Sequence, residues 1–252
     1  MFGQWDILLW LIVILPFLVL LKRWIGQHAQ GVGLLLTGDK RTAFILYSLL
    51  LFPGTLVHES SHWLAAQLLR VRVRKISFKP AKVSRGLRLG FVQIARADPI
   101  RESLIGLAPL LGGSLVILLI ARWGLGVSAD ISSVTDLLGQ ILVGLPTYVR
   151  VPDFWLLLYL IFAVSNAMVP SPSDRQAWVS LLLYLGLLGL LLYLVGFAPE
   201  RPEPLVRWSW QGVRYLVGAF NLTVLVDLTF VLAIFLMEKV LEGVTGQRVK
   251  YD

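Results

Sequence analysis

The chain has 252 residues, 57% of them hydrophobic and 15% charged, with a formal net charge of +8 and no cysteine. A mean hydropathy of +0.76, with a charged fraction well below the roughly one quarter usual in soluble domains, excludes an ordinary soluble fold. It predicts an all-α, polytopic membrane protein. Without cysteine there are no disulfides, thiolate metal sites or cysteine nucleophiles. With no glycine-rich phosphate loop and no separate basic domain, nucleic acid is not an expected partner.

A membrane span needs about 20 apolar residues, and the chain divides into about six such stretches. The first runs from Ile7 to Leu21 and carries Pro16. Met1 to Asp6 lacks the positive n-region of a cleaved signal peptide, so this run reads as a retained anchor. Residues 22–41 read as a mixed polar segment. The second span covers Ala43 to Leu69, with Pro53-Gly54 as an expected kink and Thr55 as an expected cap of the restarted helix. A polar loop spans residues 70–101. The third span runs from Ser103 to Ala121, and a short amphipathic helix is expected near 134–143 in the connection that follows. The fourth span covers Phe154 to Val169, the fifth Ala177 to Phe197 and the sixth Tyr215 to Met237. Trp5, Trp24, Trp123, Trp155, Trp178, Trp208 and Trp210 fall near span ends, where interfacial anchors belong. No internal repeat divides the chain, so it reads as one membrane domain with a core over 43–178.

Loop 70–101 holds ten basic residues against the single acid Asp98, which places it on the cytoplasmic side against anionic headgroups. The 124–153 connection, with Arg150 against Asp130, Asp136 and Asp153, belongs outside. Lys22, Arg23, Lys40 and Arg41 would then face outward, against the trend. Alternating apolar and polar residues flank a turn over Lys82-Val83-Ser84-Arg85-Gly86, so a β-hairpin is expected in the loop. Its edge could pair with an extended peptide. The expected setting is a prokaryotic-type plasma membrane, with the site opening to the cytoplasm.

The densest chemistry lies in the second span: His58-Glu59-Ser60-Ser61-His62, an H-E-x-x-H motif. Imidazoles at i and i+4 share one helix face and reach one zinc ion, leaving Glu59 to act on the water in the open coordination position. At about 1.5 Å per residue the motif lies roughly 14 Å below the loop side. Two His and a Glu within a span are costly, which asks for a function. Catalytic zinc takes three protein ligands. The chain's only other histidine, His28, lies in the 22–41 segment and reads as an interfacial residue, so the third ligand is expected to be a carboxylate. Asp174 and Asp227 are the candidates. Asp174 follows Pro170 and Pro172, which cannot continue a regular helix; such a break is tolerated at membrane depth where it lines a cavity or is buried in protein.

These features together resemble the site-2 protease family of intramembrane zinc metalloproteases. That family carries H-E-x-x-H on one helix and Asn-x-x-Pro-x-x-x-x-Asp-Gly on a later broken one. Asn166 and Asp174 have the family spacing; the proline falls one residue late, at Pro170, and Arg175 stands where the family has glycine. Gly106-Leu107-Ala108-Pro109 matches the family's Gly-Pro element after a basic hairpin. The resemblance covers Ala43 to Trp178 and marks a divergent member. It implies a zinc endopeptidase acting on membrane-protein or peptide substrates. His58, His62 and Asp174 would be the ligands, Glu59 the general base, and Asn166 a group that orients the substrate backbone.

Two other classes compete. Other membrane H-E-x-x-H proteases take a glutamate as third ligand, for which Glu102, Glu238 and Glu242 are the candidates. A non-catalytic binding or transport protein would keep the metal for structure alone.

Overall fold

A computed structural model of the chain describes residues 4–79, 81–83, 86–127, 139, 143–144, 146–195 and 203–251. Seven helices account for most of it: α1 (Gln4–Thr37), α2 (Lys40–Leu50), α3 (Phe52–Leu68), α4 (Pro99–Leu119), α5 (Phe154–Met168), α6 (Gln176–Leu194) and α7 (Glu203–Thr245). A π-helical turn, Ile120–Gly124, extends α4.

Among the described residues three helices are long and apolar enough to cross a membrane, or four if α2 and α3 form one bent span. The sequence predicts six. The difference lies in α5 and α6, which are shorter apolar helices. The 15 residues of α5 reach about 22 Å at 1.5 Å per residue, short of a hydrocarbon core of about 30 Å.

The first helix also differs from expectation. It does not stop at Leu21 but runs unbroken to Thr37. Lys22, Arg23 and His28 are therefore helical residues rather than parts of a polar connection. Pro16 lies within this helix. The turn into α2 uses Gly38 at positive φ and Asp39 as N-cap, whose carboxylate accepts from Thr42 N at 2.8 Å. The Thr42 hydroxyl and amide hold that carboxyl below its usual range.

Helices α2 and α3 meet at a bend of 65°. Pro53 stands in the first turn of α3, where its missing N–H costs nothing. The carbonyl of Leu50 beside the break accepts from Tyr159 Oη at 2.9 Å. Thr55 does not cap α3: its hydroxyl donates back to Leu51 O at 3.1 Å. Arg70, at φ 57, closes the other end in the left-handed conformation, with Val71 N donating to Ala66 O at 2.8 Å.

Between α3 and α4 lie four strands: β1 (Val73–Ser77), β2 (Ala81–Val83), β3 (Gly86–Arg88) and β4 (Phe91–Ile94). They form two separate antiparallel pairs, β1 with β4 and β2 with β3, rather than one continuous hairpin. The β1–β4 register shifts between Val73 and Lys75. Ser84 and Arg85 of the expected turn lie outside the described residues, as does most of the expected 134–143 helix. Asp98 then caps α4, accepting from Arg101 N at 3.0 Å, and that bond holds its carboxyl below the usual range.

Helix α1 packs along α7, while α3, α4 and α5 pack on one another, with α7 also against α4 and α5. Phe162 of α5 stacks on Phe230 of α7 at 4.0 Å between ring centres. Two glycines allow unusually close approach. A Cβ at Gly54 would overlap the Ala163 carbonyl, and one at Gly113 would overlap the Met168 side chain. Helix α5 is thereby drawn against both α3 and α4. Of the helices, α6 makes its main contact with α4, and most of its leucines are exposed.

Candidate metal centre

His58 and His62 occupy successive turns of α3, their ring centres 4.8 Å apart. Each ring is fixed by its Nδ1. In His58 that nitrogen lies 2.7 Å from the carbonyl of Ala167, near the end of α5. In His62 it lies 2.8 Å from the carbonyl of Ile105, in α4. A carbonyl oxygen only accepts, so both Nδ1 atoms carry the proton, and in the neutral rings both Nε2 atoms carry a lone pair. Those two Nε2 atoms face each other at 3.2 Å. Two lone pairs so placed repel unless a cation or a proton stands between them.

Asp174 completes the group. Its Oδ1 lies 3.4 Å from His62 Nε2 and its Oδ2 3.7 Å from His58 Nε2. Suitable atoms of the three residues all lie within 4.8 Å of one another, and they can hold a metal ion. Tetrahedral ligands at a metal distance of about 2.0–2.1 Å stand about 3.3 Å apart. The two Nε2 atoms, at 3.2 Å, stand close to that edge length, while the 3.4 and 3.7 Å separations run to different oxygens of Asp174, so binding through a single carboxylate oxygen calls for a small adjustment of the Asp174 side chain.

The position of Asp174 follows from the broken chain after α5. Val169 is extended, at φ −66 and ψ 122, and ends the helix. Pro170 follows, and the chain turns through Ser171 to Asp174. The Asp174 Oδ2 accepts from Ser171 N at 2.7 Å, which sets the carboxylate within its own turn. Opposite, in α4, Gly106 makes room: a Cβ there would overlap the Asp174 carbonyl oxygen. Gly112 likewise lies against the Ser61 side chain.

Glu59 follows His58 on α3 and is buried. It lies against Gly90, the residue before β4, where an added Cβ would fall 3.0 Å from Glu59 Oε1.

Asn166 does not face the metal group. It is 2% exposed, and its Nδ2 donates to Phe162 O at 3.0 Å and to Asp227 Oδ1 at 3.2 Å. Ser165 Oγ donates to the same Asp227 oxygen at 2.7 Å. Asp227, the rival carboxylate, is thus occupied behind α5 and is not brought to the histidines. Oδ1 of Asn166 is buried without a hydrogen-bond partner.

The glutamates open to a different third-ligand scheme are also engaged elsewhere. Glu102 accepts from Ala97 N at 3.0 Å, and Glu242 from Lys239 Nζ at 2.8 Å. Glu238 Oε2 lies 2.5 Å from His28 Nδ1, and its Oε1 accepts from Tyr251 at 2.7 Å. His28 stacks on Trp24 at 4.0 Å between centres, so Trp24 supports this cluster. Trp123 and Trp155, by contrast, are 79% and 72% exposed.

Sequence reasoning misses the two carbonyl partners of the histidines, Gly90 and Lys22. Backbone carbonyls leave no signature in a sequence. Lys22 does leave one: it continues the inward stripe of Ile14, Leu18 and Ile25 at helical spacing.

No protein-family model, no curated protein and no solved structure matches the chain.

Proposed function

We propose that the chain is an intramembrane zinc metalloendopeptidase of the site-2 protease type, acting on membrane-protein or peptide substrates. The observation that carries this reading is the convergence of the two histidine Nε2 atoms and the Asp174 carboxylate within reach of one ion, with both Nδ1 atoms spent on backbone carbonyls. Two imidazoles and one carboxylate in that geometry favour zinc. Three protein ligands leave the open position of a catalytic rather than a closed structural site.

Bound there, zinc would supply Lewis-acid activation of water and of the scissile carbonyl. The protein's own groups do the rest. His58 and His62 present neutral nitrogens because Ala167 and Ile105 hold their other protons in place. Asp174 contributes the anionic ligand from its turn. Glu59, enclosed beside Gly90, takes a proton from the attacking water and returns it to the leaving amine. Substrate must arrive unwound, since a helical backbone hides its carbonyls in hydrogen bonds. β4, which begins next to Glu59, offers an edge for such a strand. Asn166, enclosed and tied to Asp227, fixes α5 against α7 in this reading rather than touching substrate. The basic residues of loop 70–101 meet anionic headgroups on the cytoplasmic side of a prokaryotic-type plasma membrane.

The test is the metal content of the purified full chain, followed by cleavage of a model transmembrane substrate. Near-stoichiometric zinc is expected, lost in Asp174→Ala and His62→Ala and kept in Glu59→Gln. Cleavage is expected to fall by about 10²–10⁴-fold in Glu59→Gln. A wild-type protein that binds no zinc, or a Glu59→Gln variant that cleaves at the wild-type rate, would refute the proposal.

A further inference from the structure

A helix leaves its last carbonyls without intrahelical partners, and at membrane depth no water is there to meet them. At the end of α5 the chain cannot mend this locally, because Pro170 and Pro172 have no N–H to offer. Two of these carbonyls are met from other helices. Ala167 O lies 2.7 Å from His58 Nδ1 of α3. Val169 O accepts from Lys22 Nζ of α1 at 3.0 Å. Lys22 stands one turn beyond Leu18 and just before Ile25, both buried, so it projects from the inward face of an otherwise apolar stretch. A lysine in that place is costly and asks for a role.

The carbonyl it holds is the last fixed point before the turn that delivers Asp174. Val169 is the extended residue ending α5, and Asp174 is bonded back to Ser171 N at 2.7 Å. The segment from Val169 to Asp174 is therefore anchored at one end by Lys22 and His58, and at the other by the close approach of the Asp174 carbonyl to Gly106.

We propose that Lys22 is a positioning residue of the metal centre: its ammonium group holds the Val169 carbonyl and thereby keeps the Asp174 carboxylate within reach of the metal held by His58 and His62. The inference rests on the metal-centre reading above. It makes the first helix part of the site, although that helix supplies no ligand. An arginine at position 22 would serve, since it keeps charge and donors; a residue without a donor would leave the carbonyl unmet and the turn free to move.

The experiment is cobalt titration of the full chain in detergent, reading both affinity and the visible absorption of the bound ion. Wild type, Lys22→Met and Lys22→Arg are compared, with Asp174→Ala as the reference for a lost carboxylate ligand. Lys22→Met is expected to bind about 10–100-fold more weakly and to shift its spectrum toward that of Asp174→Ala. Lys22→Arg is expected to restore the wild-type spectrum. Because the chain has no cysteine, Lys22→Cys can be S-aminoethylated selectively, rebuilding the ammonium on one folded preparation should the methionine variant fail to fold. Recovery of affinity and spectrum on aminoethylation is expected. Wild-type affinity and spectrum in Lys22→Met, or no recovery on aminoethylation, overturns the role of Lys22 alone. A wild-type protein that takes up no cobalt overturns the metal centre and this inference with it.

Discussion

Gly90 and Glu59 touch across an element boundary: a Cβ at Gly90 would fall 3.0 Å from both Cγ and Oε1 of Glu59. The strand region after α3 therefore returns to the helix it left and closes over the carboxylate proposed as general base. Space for that carboxylate exists because residue 90 has no side chain.

Gly90→Ala should push Glu59 from its position while leaving the three ligands untouched. Zinc content should stay at the wild-type level and cleavage should fall several-fold, since the Glu59 carboxylate would have to give by a few tenths of an ångström and proton transfer is sensitive to placement. Parallel zinc and peptidase assays check this; equal activity in the variant would contradict the packing described.

Gly106→Ala acts on the metal instead. Its methyl group would overlap the Asp174 carbonyl, and overpacking of this kind costs about 1–3 kcal/mol. The turn should shift and zinc affinity should fall, measured by competition with a chelator of known strength. Gly186→Ala, at a position where an added Cβ meets nothing, is the matched control and should bind zinc normally.

Asp227→Ala separates stability from metal binding. It removes the oxygen on which Ser165 and Asn166 converge; both keep a local acceptor in Phe162 O, so the loss is that of the bonds tying α5 to α7, each worth about 0.5–1.5 kcal/mol. The thermal midpoint should drop while zinc stoichiometry is kept. Loss of zinc with an unchanged midpoint would instead make Asp227 a ligand.

The C-terminal tail should respond to pH. Tyr251 donates to Glu238 and its ring lies 4.1 Å from that of His28. Burial first, and then its bond to the Glu238 carboxylate, push its phenol above the ordinary value of 10.0, with the charge of Glu242 adding to the effect. A group whose folded value is raised stabilises fully below its unfolded value and loses that contribution as pH rises through the folded one. The difference in thermal midpoint between wild type and Tyr251→Phe should therefore be constant up to about pH 10 and shrink above it. A difference that grows with pH would reverse the sign.

Much of the candidate site could be read from local spacing. His58 and His62 are related by one helical turn, and Asp174 lies in a proline-marked break. Other features are settled by partners remote in the chain. Lys22 and His28 look like loop residues because their partners, the Val169 carbonyl and Glu238, lie far away in sequence. Read alone, those polar side chains end a span; with their partners, they continue a helix. Asn166 is the opposite case. Its spacing from Asp174 points to the site, yet rotation about α5 turns it to Asp227. The number of crossings is hard to read because apolar composition marks α5 as a span, while its length is set by Asp153 and Val169 at its ends.

The separation of the ligands along the chain bears on how the centre is made. His58 and His62 emerge early in synthesis, Ile105 later and Asp174 much later, after α5. If the proposed centre is right, a nascent chain holds, until Asp174 is made, a histidine pair with too few ligands to retain zinc firmly. On the proposed zinc reading, metal capture would come late in biogenesis, once the end of α5 has met α1 and α3. A chain truncated before residue 174 should still insert, yet leave the translocon without metal.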